Sequence, residues 1–259
     1  MNDGNNTRRE ELLKEIGISP VWRLRDAPQA ETEVAALAPV AALSAREPDA
    51  PVTVPAVALG VDPGPVTAMD WPALKACVAD CRACGLHAGR NRTVFGVGDE
   101  NADWLFVGEG PGADEDAQGE PFVGQAGKLL DNMLAAIALK RGANVYIANI
   151  VKCRPPANRN PQPEEAQACS AYLQRQIELI RPKLIIALGK VAAVNLLGRD
   201  ASIASLRGQQ HAYRGIPLLV TYHPAYLLRA LNDKAKAWQD LCFAVETMRH
   251  LQLAEAAAI

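Results

Sequence analysis

The stretch WLFVGEG at residues 104–110 is a short apolar run that ends in glycines. Three further runs of this kind follow along the chain: VYIANIV at 145–151, KLIIALG at 183–189 and IPLLVTYHP at 216–224. Runs of this length and composition are typical of buried strands, so we predict four strands at these positions.

Helical patterns lie between and after these strands. They are GQAGKLLDNMLAAIAL at 124–139, PQPEEAQACSAYLQRQIELI at 161–180, KVAAVNLLG at 190–198 and a last helix from about Lys234 to His250. Strands that alternate with helices predict an α/β fold, a three-layer αβα arrangement around a central, mainly parallel, four-stranded sheet. Functional loops should then lie beyond the carboxyl ends of the strands.

Polar motifs do follow the predicted strands. GEGPG at 108–112 follows the first strand, Asn149 lies at the end of the second, and YHPAYLLR at 222–229 follows the fourth. GEGPG is not a dinucleotide-binding fingerprint, because its third glycine is misplaced, no helix begins at once and no acidic residue ends the second strand.

Four cysteines indicate a metal centre. Cys81 and Cys84 form a C-x-x-C pair, while Cys153 and Cys169 are distant from it and from each other. Thiolates favour zinc or an iron–sulfur cluster. A zinc ribbon would usually have a second tight pair, so the spacing favours a 4Fe-4S cluster over zinc. Ordinary buried thiols remain an alternative, and Cys77 is a rival ligand.

We predict three segments: a short amphipathic segment at residues 1–29, a flexible Ala/Pro-rich linker at 30–70 and a folded domain at 71–259. Residues 1–70 hold 6 of the 27 basic and 11 of the 29 acidic residues. The acidic N-terminal part makes the net charge of the whole chain negative, although the rest of the chain is mildly basic. A mildly basic domain is compatible with DNA binding. No apolar run is long enough to span a membrane and no signal peptide is evident, so a cytoplasmic protein is expected.

Several long motifs together resemble those of the family 4 uracil-DNA glycosylases. They are the four-cysteine pattern, GEGPGADEDAQGEPFVGQAGKLL at 108–130, NIVKCRPPANRNPQPEEAQAC at 149–169, IIALG and YHPAYLLR. The resemblance covers about residues 72–250. It implies a uracil-DNA glycosylase-like fold, a DNA-repair glycosylase that releases uracil, and a 4Fe-4S cluster on Cys81, Cys84, Cys153 and Cys169. A relative that bonds covalently to DNA uses a histidine in an inserted loop, and residues 154–168 contain no histidine.

The resemblance also implies the residues that break the bond. His223 is expected to donate a hydrogen bond to uracil O2, where negative charge develops. Glu109 is expected to stabilise positive charge on the sugar and to position water, by its side chain or its backbone. We find no lysine suited to form a Schiff base, so a monofunctional hydrolase is expected.

The expected base-binding residues surround a uracil flipped out of the duplex. Phe122 would stack on the base, and Asn149 would recognise its O4/N3 edge because a carboxamide offers both a donor and an acceptor. Glu115 would form the wall against the C5 edge, where the methyl group of thymine would clash. Gly110 lies in the same site, and Asp116 is expected to brace the loop.

The remaining predicted residues concern DNA and partners. Tyr226, Leu227 and Leu228 resemble the apolar wedge that fills the gap left by a flipped base, and the expected phosphate contacts are Lys152, Arg154, Arg159 and Arg229. Residues 10–25 form an apolar patch that could bind a replication or repair protein, or else pack on the enzyme itself. We expect a monomer.

Two other classes of protein remain as alternatives at this stage. One is a non-catalytic iron–sulfur protein that binds damaged DNA without releasing the base. The other is a zinc-stabilised nucleotide-binding module.

Overall fold

The structure is a computed structural model that describes residues 66–257. The predictions for residues 1–29 and for residues 30–65 of the linker lie outside the described residues. The remaining linker residues are folded, which corrects the predicted boundary at residue 71. Val66–Ala68 form a 3-10 turn, and Val66 is buried in the core. Arg175 donates a hydrogen bond of 2.6 Å to the carbonyl of Met69, so this stretch packs on the domain.

Within residues 66–257 the chain forms one mixed sheet of six strands in the order β1-β3-β2-β4-β6-β5. The strands are β1 Val97–Gly98, β2 Trp104–Gly108, β3 Val145–Asn149, β4 Leu184–Leu188, β5 His211–Tyr213 and β6 Ile216–Thr221. The four predicted strands are confirmed as the parallel centre of this sheet. The two outer strands pair antiparallel, and they are too short to produce a periodic pattern in the sequence.

Eight α-helices lie in the same part of the chain. They are α1 Trp71–Ala79, α2 Ala113–Gln118, α3 Gln125–Ala136, α4 Pro163–Ile180, α5 Lys190–Leu197, α6 Ile203–Leu206, α7 Pro224–Leu227 and α8 Lys234–Ala257. The four predicted helices correspond to α3, α4, α5 and α8, and the last of these continues beyond the predicted end at His250. None of the helices described is both long and apolar enough to cross a membrane.

Side chains of the central strands alternate between two apolar clusters, one on each face of the sheet. Leu105, Val107 and Ile185 point to the face covered by α1, α4 and α5. Phe106 and Ile186 point to the face covered by α3 and α8. Every residue of β2, β3 and β4 is buried, as expected for parallel strands covered on both faces. The three-layer αβα prediction is therefore confirmed.

The carboxyl ends of β2 and β3 meet in register, with Gly108 paired to Asn149. A Cβ atom on Gly108 would lie 2.5 Å from the Asn149 Oδ1 atom and 2.6 Å from the Phe122 Cζ atom. Only glycine fits here, so the end of β2 leaves room for two larger side chains at the same edge of the sheet.

Asp116 braces the loop that leads from the cysteine pair to β1. Its carboxylate is fully buried in α2 and accepts hydrogen bonds from the backbone N–H of Asn91 at 2.9 Å, from the Asn91 side chain at 2.6 Å and from the Arg92 N–H at 3.4 Å. The predicted bracing role of Asp116 is confirmed.

Replacing Asp116 with alanine should lower the free energy of unfolding by about 2 kcal/mol, because the N–H groups of Asn91 and Arg92 would lose a charged acceptor. Urea unfolding measures this difference. Glu120→Ala is the control, since Glu120 is exposed and its replacement should change stability by less than about 0.5 kcal/mol. Equal stabilities of the two variants would contradict the bracing role.

Candidate active site

A pocket of about 450 Å³ opens at the carboxyl edge of the sheet. Nine residues predicted from the sequence line it: Glu109, Gly110, Glu115, Phe122, Asn149, Arg159, His223, Tyr226 and Arg229. Sequence reasoning missed Pro111, Gly112, Ala126, Pro155, Asn158, Asn160 and Ala225. Asn158 and Asn160 flank the predicted Arg159 in the sequence RPPANRN at 154–160. Their position next to Arg159 could have indicated that they line the same site.

Phe122 and His223 form one wall of the pocket. Their ring centroids lie 5.5 Å apart with an interplanar angle of 30°. Phe122 has a φ of 56°, a left-handed conformation that costs a bulky residue about 1–2 kcal/mol. A Cβ atom on Gly127 would overlap the Phe122 carbonyl oxygen, so the start of α3 must approach this backbone closely.

Arg141 holds the Phe122 backbone from outside the pocket. Its guanidinium donates hydrogen bonds of 2.8 Å to the carbonyls of both Pro121 and Phe122. Its Nε donates to Asp131 at 3.0 Å. These contacts fix the direction of the chain on either side of the strained residue.

The Asn149 carboxamide is buried at the floor of the pocket. Asn149 is 2% exposed, and its Oδ1 atom has no hydrogen-bond partner in the described part of the chain. Buried polar atoms are normally paired. Asn149 as a residue lines the pocket, so its carboxamide is placed where it could pair with a ligand.

His223 is held as a neutral imidazole with a fixed tautomer. Its Nδ1 atom accepts a hydrogen bond from the Ala225 N–H at 3.1 Å at the start of α7, so the proton of the neutral ring is on Nε2. Burial lowers the pKa of His223 to about 4, with Glu115 opposing and Arg229 assisting this shift. At pH 7 the ring can therefore donate a hydrogen bond without carrying charge.

Glu109 is half-buried at the mouth of the loop after β2. Burial raises the pKa of its carboxyl above the ordinary value. Its carboxylate forms no hydrogen bond within residues 66–257, whereas its backbone carbonyl accepts from the Val151 N–H at 3.2 Å. The side chain is thus free to meet a ligand or a water molecule.

Glu115 lines the pocket but is also tied to the loops around it. Its carboxylate accepts hydrogen bonds from the backbone N–H groups of Gly112 at 3.1 Å, Val123 at 2.9 Å and Gly124 at 3.1 Å. These bonds join the start of α2 to the segment that precedes α3. Its predicted contact with the C5 edge of a base stays a prediction.

Two predicted DNA contacts are wrong. Lys152 is 1% exposed, and its ammonium donates inward to the Asn149 carbonyl and to Gln176, so it cannot reach phosphate. Leu227 is also 1% exposed and packs with Ala237 and Leu241 of α8. It faces the core side of the short helix α7 and cannot act as a wedge.

Two neighbours of Leu227 are exposed beside the pocket. Tyr226 is 40% exposed and Leu228 is 42% exposed. The Tyr226 ring stacks on Tyr222, with centroids 5.3 Å apart, and its hydroxyl donates to Asp233 at 2.6 Å. Of the two candidates for a wedge, Tyr226 is therefore the one whose side chain is held by neighbouring residues.

The three arginines predicted to bind phosphate differ in their side-chain contacts. Arg229 is exposed at the pocket rim, and Arg154 donates to the Asn158 side chain at 2.7 Å. Arg159 makes a two-fold contact with Glu165, at 2.8 and 2.7 Å. That ion pair offsets its charge and fixes the loop that carries Asn158.

The four predicted cluster ligands, Cys81, Cys84, Cys153 and Cys169, line a second and much smaller cavity, of about 10 Å³. Three sulfur atoms accept N–H hydrogen bonds: Cys153 from Arg90 at 3.1 Å, Cys169 from the Lys152 backbone at 3.3 Å and Cys81 from the Ala83 backbone at 3.5 Å. Cys77 does not line this cavity.

Among residues 66–257, no set of three or more Cys, His, Asp or Glu side chains is grouped to hold a metal ion. The cysteines nevertheless converge on one space from three separate parts of the chain.

Comparison with known proteins defines the class to which this fold and site belong. The sequence profile of the Uracil DNA glycosylase superfamily matches residues 95–242. That range includes the pocket and two of the four cysteines, Cys153 and Cys169.

Similar proteins narrow the class further. A Type-4 uracil-DNA glycosylase of Archaeoglobus fulgidus is 47% identical over 159 residues, 58% of this chain and 79% of that protein. Those of Thermotoga maritima and Pyrobaculum aerophilum are 47% and 43% identical, over 61% and 67% of this chain and 83% and 92% of theirs. This chain belongs to the type-4 family of the uracil-DNA glycosylase superfamily.

Replacing Arg141 with methionine should lower the free energy of unfolding by about 2 kcal/mol, because the carbonyls of Pro121 and Phe122 would lose charged donors. Urea unfolding gives the value. Lys128→Met is the matched control, since Lys128 is exposed on α3 and makes no such contact. If Arg141→Met proved as stable as the control, Arg141 would not hold Phe122.

Proposed function

We propose that this protein excises uracil from DNA. It hydrolyses the N-glycosidic bond between uracil and deoxyribose, releases free uracil and leaves an abasic site for base excision repair. The observation that carries the proposal is one pocket that combines an aromatic wall, a buried carboxamide whose Oδ1 atom has no partner among residues 66–257, and a neutral imidazole donor. Similar proteins named as type-4 uracil-DNA glycosylases support it.

We propose that the base enters the pocket after it leaves the duplex stack, because the target bond is not accessible within the duplex. Phe122 provides a stacking surface, which contributes about 1–3 kcal/mol per base. The Asn149 Oδ1 atom accepts the uracil N3–H, and the amide nitrogen donates to O4. The lack of a hydrogen-bond partner for Oδ1 among the residues that the structure describes supports this assignment.

Bond cleavage places negative charge on uracil O2 and positive charge on the sugar. In our proposal the His223 Nε2–H donates to O2 as that charge develops, which is an oxyanion-stabilising role. Glu109 provides the negative charge that stabilises the sugar cation and orients the attacking water. The absence of a hydrogen bond to its carboxylate in the described part of the chain is consistent with this role.

The remaining pocket residues are proposed to select and hold the substrate. Gly110 lets the backbone approach the sugar, and Glu115, fixed by three backbone N–H groups, forms a rigid wall against the C5 edge. Arg229, Arg154 and Arg159 contact phosphates. Leu228 and Tyr226 fill the space left by the base.

The rival function, a damage-binding protein without catalysis, would use the same pocket but would never release the base. It is not favoured, because it leaves without a role both the Glu109 carboxylate, which has no partner in the described residues, and the fixed tautomer of His223. Release of free uracil from a uracil-containing oligonucleotide discriminates the two.

Replacing His223 with alanine should slow single-turnover uracil release by about 100-fold or more, the scale of losing one oxyanion donor. Affinity for the same oligonucleotide should change far less, because the wild-type imidazole acts mainly after the base is bound. His211→Ala is the control, since His211 lies in the outer strand β5 and outside the pocket. Cleavage by His223→Ala at the wild-type rate would refute the role of His223.

We also propose that Cys81, Cys84, Cys153 and Cys169 bind one 4Fe-4S cluster. The support is the fit of the site: four thiols around one cavity, with N–H groups directed at three of the sulfur atoms. Hydrogen bonds to sulfur are typical of such clusters. When bound, the cluster would fix the RPP turn against α4.

Iron and sulfide analysis of protein purified without oxygen should give about four of each per chain. Cys153→Ser should lose the cluster, and Cys77→Ser should retain it because Cys77 does not line the cavity. Equal iron contents in the two variants, or a wild-type protein with zinc alone, would refute the cluster.

Finally, we propose that the protein is a cytoplasmic monomer and that residues 10–25 bind a replication or repair protein. The support is the sequence EELLKEIGISPVWRLR, which combines aliphatic and aromatic residues at helical spacing. A tethered binding segment would raise the local concentration of the enzyme near DNA.

Deleting residues 1–65 should leave uracil release from short oligonucleotides unchanged within about twofold, because the pocket lies entirely within the retained residues. The same deletion should abolish binding to a purified replication or repair partner of the full chain. Loss of cleavage in the truncated protein would show instead that the patch belongs to the enzyme itself.

A further inference from the structure

Lys152 is a buried lysine that the proposed reaction does not use. Its Nζ atom donates hydrogen bonds to the Asn149 carbonyl at 2.9 Å and to the Gln176 Oε1 atom at 2.6 Å. Both acceptors are neutral. No salt bridge joins Lys152 to an acidic side chain in the part of the chain that the structure describes. A buried ammonium without an anionic partner is costly, so its retention needs a reason.

The cysteine cavity would become a source of negative charge if it held the proposed 4Fe-4S cluster. Lys152 lines that cavity together with the four cysteines, and its backbone N–H donates to the Cys169 Sγ atom at 3.3 Å. The other cation at the cavity is Arg90, which donates to the Cys153 Sγ atom at 3.1 Å. Four thiolates around a 4Fe-4S core leave about two negative charges, which these two cations would offset.

Lys152 also touches the base-binding side of the protein. The carbonyl that its ammonium binds belongs to Asn149, whose carboxamide lies at the floor of the pocket. Gln176, the second acceptor, is fully buried and donates to the Phe95 carbonyl at 2.9 Å. The ammonium is thus held between the end of β3 and helix α4, and it cannot turn toward solvent.

We propose that Lys152 is the fixed counter-cation of the cluster and a positioning residue for Asn149. Its ammonium would offset the negative charge of the cluster. The same ammonium donates a hydrogen bond to the Asn149 carbonyl and so would hold in place the backbone that carries the uracil-binding carboxamide. This inference rests on the proposed function, because it requires both the cluster and a uracil-binding role for Asn149.

The experiment compares full-length wild-type protein, Lys152→Met and Gln176→Glu, all purified without oxygen. Methionine keeps the length of the side chain and removes its charge. Glutamate keeps the acceptor for Lys152 and adds a negative charge that cancels the ammonium, and it also removes the amide N–H that donates to the Phe95 carbonyl. Lys128→Met is the control, since Lys128 is exposed on α3.

Two quantities are measured. The first is the rate at which an iron chelator removes iron, which should rise about tenfold in both test variants and stay unchanged in the control. The second is inhibition by free uracil, which should weaken about fivefold in Lys152→Met because Asn149 loses its support. A role confined to general stability would not weaken inhibition by uracil at a temperature where the variant is fully folded.

The outcomes separate this inference from the proposed function. Iron release at the wild-type rate from Gln176→Glu, or from a folded Lys152→Met, would overturn the counter-cation. Unchanged inhibition by uracil would overturn the positioning role. If Lys152→Met fails to fold, Gln176→Glu alone decides the first question. Wild-type protein without iron would overturn the cluster proposal and the counter-cation with it, whereas wild-type protein that releases no uracil would overturn the proposed activity alone.

Discussion

The close approach at the ends of β2 and β3 is the constraint on which the pocket depends. Gly108 pairs with Asn149 in register, and the space where its side chain would stand is shared by the Asn149 carboxamide and the Phe122 ring. A second glycine, Gly127, lets α3 approach the Phe122 carbonyl. The two absent side chains therefore bring together two residues that are far apart in the sequence, and the strained backbone at residue 122 is the cost of that arrangement.

Polar groups in and around the pocket divide into two kinds. Asp116, Glu115 and Arg141 form hydrogen bonds with other groups of the protein. The Asn149 Oδ1 atom and the Glu109 carboxylate have no partner in the described residues. The first kind makes the loops rigid, and this rigidity lets the second kind remain unpaired without collapse of the pocket. The residues that stabilise the loops are thus different from the residues that are available to bind a ligand.

Much of this structure follows from the sequence, and the exceptions have physical reasons. The four central strands were predictable because burial on both faces produces continuous apolar runs, and the pocket residues because loops after parallel strands share one edge. Lys152 and Leu227 were not predictable, because each belongs to a motif whose neighbours face the pocket or the solvent. A lysine beside arginines suggests a surface, and only the packing of α4 shows that this one faces inward.

Helix α4 serves three regions of the protein with residues at fixed intervals. Glu165 in its first turn holds the loop at the pocket rim, Cys169 one turn later faces the cysteine cavity, and Gln176 two turns beyond contacts the buried ammonium. Since an α-helix turns by about 100° per residue, adding or removing one residue between these positions would rotate one of them away from its region. Such a helix tolerates substitution at its exposed positions but not a change of length. One inserted or deleted residue in α4 would therefore disturb the rim of the pocket or the cysteine site, although these two regions perform different tasks.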